Sequence, residues 1–537
     1  MSVCKPIITI SGTTGVGKSK LAIQLALALA KSDSANCSGA RIINADSMQV
    51  YAGMDVITNK VPLHEQQGVD HLLMGFKQPG EQYVVGQWVH DAMKAIDETH
   101  ARNQIPIVVG GTAYWIHHLI FPNRLSSTVD SQPSYSPPPS PSPSKVPLPS
   151  EKLSEALESL PPNLLHLFNN LPSDIPSSAA EAIAMHNLLV GLDPVVGTRW
   201  HWRDTRKVFR CLNIIKETGK RTSDIWEEQS NVGFKPRYRT LCFWLYADLP
   251  SLYPRLDARV DDMIKQGLLD EIRELKRIAT SSPRPGVATT VVQDQGQDAD
   301  DYTPDYTLGI YQSIGYKEFH TYLTSPDPTQ KSFDEAVQQM KFSTRKYAKR
   351  QVSWMRNKML PAVYAANAGT DRVEMNGERD GNVERESERI EFFLLDATQL
   401  QEKWDSDVRD VAEQITHDFL HERQPPDPLS LSEAARTMLT IKDRPTDPMA
   451  VLTARHQITC PICTSNPDEP FMVEEGSQWE AHRQSRVHRM LAAKQKGEPW
   501  GRPTISRKAR RLAYQQQRAE NGGEGEGSVR SLAAFLP

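Results

Sequence analysis

The chain has little of several things that would narrow its class at once. Its 537 residues contain only six cysteines. Four of them, Cys4, Cys37, Cys211 and Cys242, are scattered, which excludes a disulfide scaffold and fits a reducing compartment. No apolar run approaches the roughly 20 residues that cross a bilayer, so no membrane partner is expected. The N-terminus lacks the apolar core of a signal peptide and is too short ahead of its first apolar run for a transit peptide. Net charge is only −4, which selects no partner by itself. The charge is unevenly spread, however. From Arg483 to Arg518 eleven Lys and Arg face one acid, Glu498. At this length, two or three domains with linkers fit better than one compact body.

What is present begins with Gly12-Thr13-Thr14-Gly15-Val16-Gly17-Lys18-Ser19, a match to G-x-x-x-x-G-K-[ST]. The apolar run Pro6-Ile7-Ile8-Thr9-Ile10 precedes it as a buried strand would. Leu21, Ala22, Leu25, Ala26 and Leu29 follow at helical spacing. Strand, glycine loop and helix make a phosphate cradle. Backbone N–H groups turn inward, the helix N-terminus adds positive potential, Lys18 reaches phosphate oxygens, and Ser19 can hold Mg²⁺. The loop indicates a polyphosphate, but not which one, nor whether a phosphoryl group moves.

Arg41–Ala45 and Ile105–Val109 are further strand candidates. Short apolar strands between helical patterns predict an α/β fold, with a parallel sheet covered on both faces. Residues 1–125 form the first part of this core. A Ser/Pro-rich stretch, 126–150, is an insertion that cannot bury a core. Residues 151–235 read as a helical insertion domain. Residues 236–421 return to the core, with loose loops at 280–306 and 366–390. Within that part, Phe392–Leu395 reads as a strand, and Trp404, Val408, Val411, Ile415 and Phe419 lie at helical spacing behind it. A linker (422–454), a small module (455–495) and a basic then Gly/Glu-rich tail (496–537) complete the chain.

Five constellations carry chemistry. The first is the phosphate loop. The second is Asn44-Ala45-Asp46-Ser47-Met48-Gln49, at the carboxyl end of a strand, where open α/β sheets bind ligands. Asp46 could hold Mg²⁺, act as a general base, or only cap the following turn; Gln49 could read a base edge. The third is Gly110-Gly111-Thr112, a close backbone approach to ligand or simply a tight turn. The fourth is basic. Arg255 and Arg259 lie four apart on one helix face, either paired with acids or clamping a diphosphate. Lys341 to Lys358 reads as a helix with seven cations, no acid, and Tyr347 and Trp354 interleaved, a pattern that suits RNA. The fifth is Cys460-x2-Cys463-x18-His482-x5-His488, the ligand set of a structural Zn²⁺ site, with Trp479 available as a small core. The basic run Arg507–Arg511 that follows could bind RNA, direct nuclear import or only solubilise the tail.

Together these motifs resemble the tRNA dimethylallyltransferase (tRNA isopentenyltransferase) family in its eukaryotic form. The matching stretches, in family order, are GTTGVGKS at 12–19, INADSMQVY at 43–51, ITNK at 57–60, DHLL at 70–73 and VVGGTAYW at 108–115. Asp204-x-Arg206-Lys207-x-x-Arg210 with Thr218-Gly219, RLDARVDDM at 255–263, SIGYKE at 313–318 and RKYAKRQVSW at 345–354 follow. The C-terminal module resembles the matrin-type zinc finger of eukaryotic members. One departure is His201-Trp202-Arg203-Asp204, where the family shows His-Pro-Asn-Asp. The two insertions at 126–150 and 280–306 are extra.

The resemblance implies transfer of a dimethylallyl group from its diphosphate to N6 of the adenosine beside the tRNA anticodon. Asp46 would be the base, Thr112 would bond the bridging oxygen, and Arg259 would clamp the diphosphate in the loop 12–19. Ser47, Gln49, Arg206, Arg210, Arg345, Lys349, Arg350 and Gln351 would contact the tRNA anticodon stem-loop. Mg²⁺ at the loop and Zn²⁺ in the finger are the implied metals. A monomer, cytoplasmic with nuclear and mitochondrial pools, is the expected state. Two alternatives remain at this point, a P-loop nucleotide or nucleoside kinase and a non-catalytic RNA-binding zinc-finger protein.

Overall fold

The computed structural model describes residues 5–31, 37–122, 148–172, 175–176, 178–231, 234–281, 309–375, 389–440 and 454–497. The Ser/Pro insertion up to residue 147, nearly all of the 280–306 loop, residues 376–388 and the tail beyond 497 lie outside them.

The centre is a sheet of β1 (Pro6–Gly12), β2 (Ala40–Asn44), β3 (His71–Leu72), β4 (Ile105–Gly110), β5 (Arg239–Tyr246) and β6 (Ile390–Asp396). All pairings are parallel, in the order β3-β2-β4-β1-β5-β6. β1 and β4 are central and almost wholly buried, so both faces of each must be apolar. Ile7 packs on one face, with Trp88, Trp115 and Trp244. Ile8 and Ile10 pack on the other, under α1 (Lys18–Lys31). That helix buries the stripe read from its spacing, Leu21, Ala22, Leu25, Ala26 and Leu29. α2 (Val85–Ala101) and α3 (Ala113–Ile120) cover the opposite face.

Strand β6 is where the sequence places it, and the helical stripe behind it returns to the first core as Asp410–Leu420. β5 was not anticipated. Its run from Leu241 to Tyr246 is continuously apolar or aromatic because it is buried between β1 and β6. The expected loop at 366–390 begins instead as helix, since Leu360–Met375 is helical. Asn367 then clasps Ile390 through two hydrogen bonds of 3.0 Å, closing the ends of the segment together. The linker contains a short helix, Glu433–Leu439, whose Ala435, Met438 and Leu439 are buried against the core.

The insertion is helical, as expected, with Glu151–Glu158, Pro162–Asn169, Ala179–Leu192, Pro194–Gly197, Thr205–Thr218 and Thr222–Asn231. It has its own core around Leu188, Leu189, Leu192 and Leu212. The C-terminal module is a hairpin (Gln457–Thr459 and Met472–Glu474) followed by the helices Ser477–Gln484 and Arg486–Gln495. It docks on the insertion. Gln457 N–H donates to the Thr198 carbonyl at 2.7 Å, and Trp202 Nε1 donates to the Pro470 carbonyl at 2.8 Å. Trp202, at the departure from the family pattern, is only 4% exposed. No helix among the described residues is long and apolar enough to cross a membrane.

Candidate active site

The phosphate loop leaves the carboxyl end of β1 and enters α1 at Lys18. Gly17 has φ +86°, and a Cβ there would lie 2.7 Å from the Trp404 ring, so this position admits only glycine on both counts. Trp404 thus braces the underside of the loop, held by a 2.8 Å hydrogen bond from its Nε1 to Gln24. Lys18 folds back, donating from Nζ to the Thr13 carbonyl at 2.7 Å. Burial of that ammonium lowers its pKa to about 8, with the Asp46 charge opposing the fall and Arg259 adding to it.

Asp46 follows β2, and its carboxylate has two tasks. Oδ1 accepts from Met48 N–H at 3.0 Å, so the turn-capping reading is realised. Oδ2 points to Gly111, where it would stand 3.1 Å from a Cβ. Asn44 locks the turn, accepting from Asp46 N–H and donating to the Leu73 carbonyl. Thr112 Oγ1 accepts from Ser47 N–H at 3.1 Å, tying the β4 turn to the β2 turn. The Gly-Gly-Thr segment is therefore both a tight turn and a wall of the crevice.

Arg255 and Arg259 sit on the helix Leu249–Lys265 and separate in role. Arg255 donates to the Ala397 and Thr398 carbonyls at 3.2 and 2.9 Å, pinning its helix to the end of β6. Arg259 faces Asp46, and burial brings its pKa to about 10 against the pull of that carboxylate. Lys18, Arg259 and Asp46, each half-buried, therefore lie within electrostatic range of one another at one crevice, two cations to one carboxylate, an arrangement matched to a diphosphate.

The basic helix spans Gln330–Trp354 and continues through a π-helical turn at Met355–Met359. Its cations divide. Lys341 pairs with Asp261 at 2.6 Å and Arg345 with Asp257 at 3.3 Å, so the like-charged appearance in sequence is partly compensated by acids from the neighbouring helix. Lys349 and Arg350 are exposed. Tyr347 and Gln351 turn inward, and burial together with the Asp46 charge raises the Tyr347 pKa. Gln351 accepts from Thr14 N–H and donates to the Gly111 carbonyl, each at 3.0 Å. Gln49 donates to the Thr58 and Asn59 carbonyls at 3.2 and 3.1 Å, which fixes the ITNK segment. Arg206 and Arg210 are exposed on Thr205–Thr218, with Arg210 in electrostatic range of Tyr114 beside the crevice.

Cys460, Cys463, His482 and His488 form one cluster, their candidate ligand atoms all within 4.8 Å of one another. His488 Nδ1 lies 3.4 and 3.6 Å from the two sulfurs and 3.0 Å from His482 Nε2. Two thiols and two imidazoles at such separations can close around a metal ion. Trp479 stacks on His482, with ring centroids 5.7 Å apart.

Three contributors had no separate signal in the sequence. Trp404 was visible only as part of a helical stripe. Glu271 receives the Val56 and Ile57 N–H groups at 2.9 and 2.7 Å. The inward tie made by Gln351 was hidden within a basic motif. Each acts across more than 200 residues of chain, beyond any local pattern.

Parallel sheet, phosphate loop, and an Asp/Lys/Arg pocket at the strands' carboxyl edge define a P-loop α/β transferase. The family model described as IPP transferase matches residues 49–358, more than half of the chain, and the protein belongs to that family. It is 33% identical to the tRNA dimethylallyltransferase of Schizosaccharomyces pombe, covering 92% of this chain and 96% of that one. The Homo sapiens tRNA dimethylallyltransferase is 31% identical over 66% of this chain and 67% of its own length. A solved structure of a eukaryotic dimethylallyltransferase acting on tRNA is also similar. It is 28% identical, covers 96% of this chain and all of the other, and superposes with a TM-score of 0.61.

Proposed function

We propose that the protein transfers a dimethylallyl group from dimethylallyl diphosphate to N6 of the adenosine on the 3′ side of a tRNA anticodon. The observation that carries this reading is the pairing of a phosphate loop with Asp46 in one pocket. Lys18 and Arg259 supply cations for a leaving diphosphate, and Asp46 Oδ2 supplies an acceptor for a proton. An exocyclic adenine amine is a poor nucleophile because its lone pair is delocalised into the ring. As the N6–carbon bond forms, the carbon–oxygen bond breaks and its electron pair passes to the diphosphate. The N6 proton passes to Asp46. Lys18, Arg259 and the loop N–H groups stabilise the charge that grows on the departing oxygens. Thr112, whose hydroxyl accepts from Ser47 N–H and reaches Ser47 Oγ at 3.3 Å, would turn its proton to the bridging oxygen.

The adenine must leave its stack to reach this crevice. Ser47 and Gln49 line its approach; Arg206, Arg210, Lys349 and Arg350 are exposed to receive the stem-loop backbone, with Arg345 and Lys341 steadied by Asp257 and Asp261. The Ser19 hydroxyl, at the start of α1, is the hard oxygen donor suited to Mg²⁺, which when bound adds neutralising charge to the diphosphate. The thiol–imidazole cluster suits Zn²⁺, which would fold the finger and hold it on the insertion. A monomer serves this chemistry, since one chain supplies every group named. Placement in cytoplasm, nucleus and a mitochondrial pool remains our expectation; its nuclear part leans on a basic tail outside the described residues.

The test is direct. Purified protein, Mg²⁺, dimethylallyl diphosphate and an undermodified tRNA are combined, and the nucleosides are analysed by mass spectrometry. The expected result is an adenosine heavier by one five-carbon dimethylallyl unit. Nucleoside triphosphate turnover without that gain would favour a kinase; tRNA binding with neither reaction would favour a silent RNA-binding protein.

A further inference from the structure

We infer that Gln351 is a positioning residue that sets the spacing between the diphosphate cradle and the base-bearing wall of the crevice. This rests on the proposed reaction. The inference begins with the helix carrying it. On Gln330–Trp354, Tyr347, Ala348 and Gln351 turn toward the protein while Lys349 and Arg350 remain exposed. Gln351 is only 7% exposed, although it lies within a motif of exposed cations. Its side-chain amide is used at both ends. Oε1 accepts from the backbone N–H of Thr14, inside the phosphate loop, at 3.0 Å. Nε2 donates to the carbonyl of Gly111, in the turn leading to Thr112, at 3.0 Å.

The planar amide of glutamine presents a donor and an acceptor side by side at the end of a two-carbon stem, which is what the two backbone groups need. Glutamate would keep the acceptor but turn an anion toward the Gly111 carbonyl and Asp46. Methionine would keep the length but leave two buried backbone groups without partners. The far side of the joint is shaped to match. A Cβ at Gly111 would stand 2.8 Å from Gln351 Nε2 and 3.1 Å from Asp46 Oδ2, so the missing side chain lets the amide and the carboxylate approach the same point. Tyr347 Oη closes the group from one turn earlier on the helix, 3.8 Å from that same point.

Three pieces of the machinery thus meet at one amide: the cradle through Thr14, the Gly111–Thr112 wall beside Asp46, and the helix that presents Lys349 and Arg350. Each arises from a different region of sequence. The sheet pairs β1 with β4 only as far as Ser11 and Gly110, and beyond that point the Gln351 amide bridges Thr14 to Gly111. Because displacement of a reacting group by about 1 Å can cost a hundredfold in rate, a two-ended strut at this joint acts on the chemical step rather than on tRNA affinity.

The test compares Gln351→Glu and Gln351→Met with the full-length protein, measuring kcat and KM for an anticodon stem-loop, with thermal melting to establish folding. The strut predicts that kcat falls about tenfold or more in both variants, while KM for the stem-loop changes less than about threefold. Wild-type kcat in either folded variant overturns it. A rise in KM alone, at unchanged kcat, also overturns it and makes Gln351 a tRNA contact. If Gln351→Met does not fold, the near-isosteric Gln351→Glu decides. Asp46→Asn is run in parallel: transfer at the wild-type rate there would remove the base reading and leave the Gln351 result to stand by itself.

Discussion

Lys18 offers the sharpest quantitative test of the cradle. Burial holds its pKa near 8 in the free protein, against an ordinary value of 10.5. A diphosphate favours the charged ammonium, so binding must raise that pKa and draw in a proton wherever Lys18 is neutral beforehand. With a pKa of about 8, roughly three-quarters of the molecules carry the proton at pH 7.5 and about one-tenth at pH 9. The Lys18 share of diphosphate affinity should therefore weaken severalfold across that interval, with Lys18 taking up most of a proton per ligand at pH 9, read after subtracting the ligand's own ionisation. A lysine at its ordinary value of 10.5 would change affinity by only about 3% over the same interval. Arg259, at about 10, remains mostly charged throughout and adds little to the slope.

The sign for stability agrees. Between about 8 and 10.5 the unfolded chain binds the Lys18 proton more tightly than the folded chain, so this group's contribution to stability rises with pH across that window. The assay is titration calorimetry of inorganic diphosphate without divalent metal, at pH 7.5 and 9, in buffers of different ionisation enthalpy. Lys18→Met should bind more weakly and lose the pH dependence. An affinity that is flat within twofold, with no proton uptake, would refute the buried-ammonium account.

Two further outcomes follow from the geometry. Asp46→Ala should lower kcat by a factor of about a hundred or more while leaving stem-loop affinity nearly unchanged, measured by single-turnover transfer and filter binding; loss of binding with the rate intact would make Asp46 a structural cap only. Stripping metal with a chelator, or Cys460→Ser, should unfold the finger and speed hydrogen exchange at residues 198–203, because Gln457, Pro470 and Glu469 contact Thr198, Trp202 and Arg203. Unchanged exchange there would show that the finger is held without its metal.

Much of this was legible in the residues themselves. The phosphate loop could be read because its chemistry is backbone chemistry at fixed local spacing. The stripe on α1 and the finger's Cys and His ligands were legible for the same reason. β5 was not read, because a continuous apolar run carries no periodicity to separate strand from buried helix. Arg255 and Arg259 looked like one face and one task, yet Arg255 spends its donors on the carbonyls after β6 while Arg259 enters the pocket. The basic helix looked uncompensated because its acids, Asp257 and Asp261, lie about 80 residues earlier in the chain.

By itself, then, the sequence determined the local devices: a loop that must bind polyphosphate, a helix that must be basic, a cluster fit for metal. Only the tertiary structure decided how they act together. It placed Lys18, Arg259 and Asp46 within electrostatic range of one another, where burial lowers the Lys18 pKa. It also turned Gln351 inward, to join two loops that are more than 200 residues from it. Desolvation and long-range hydrogen bonds have no local signature, because both depend on what the rest of the chain brings alongside.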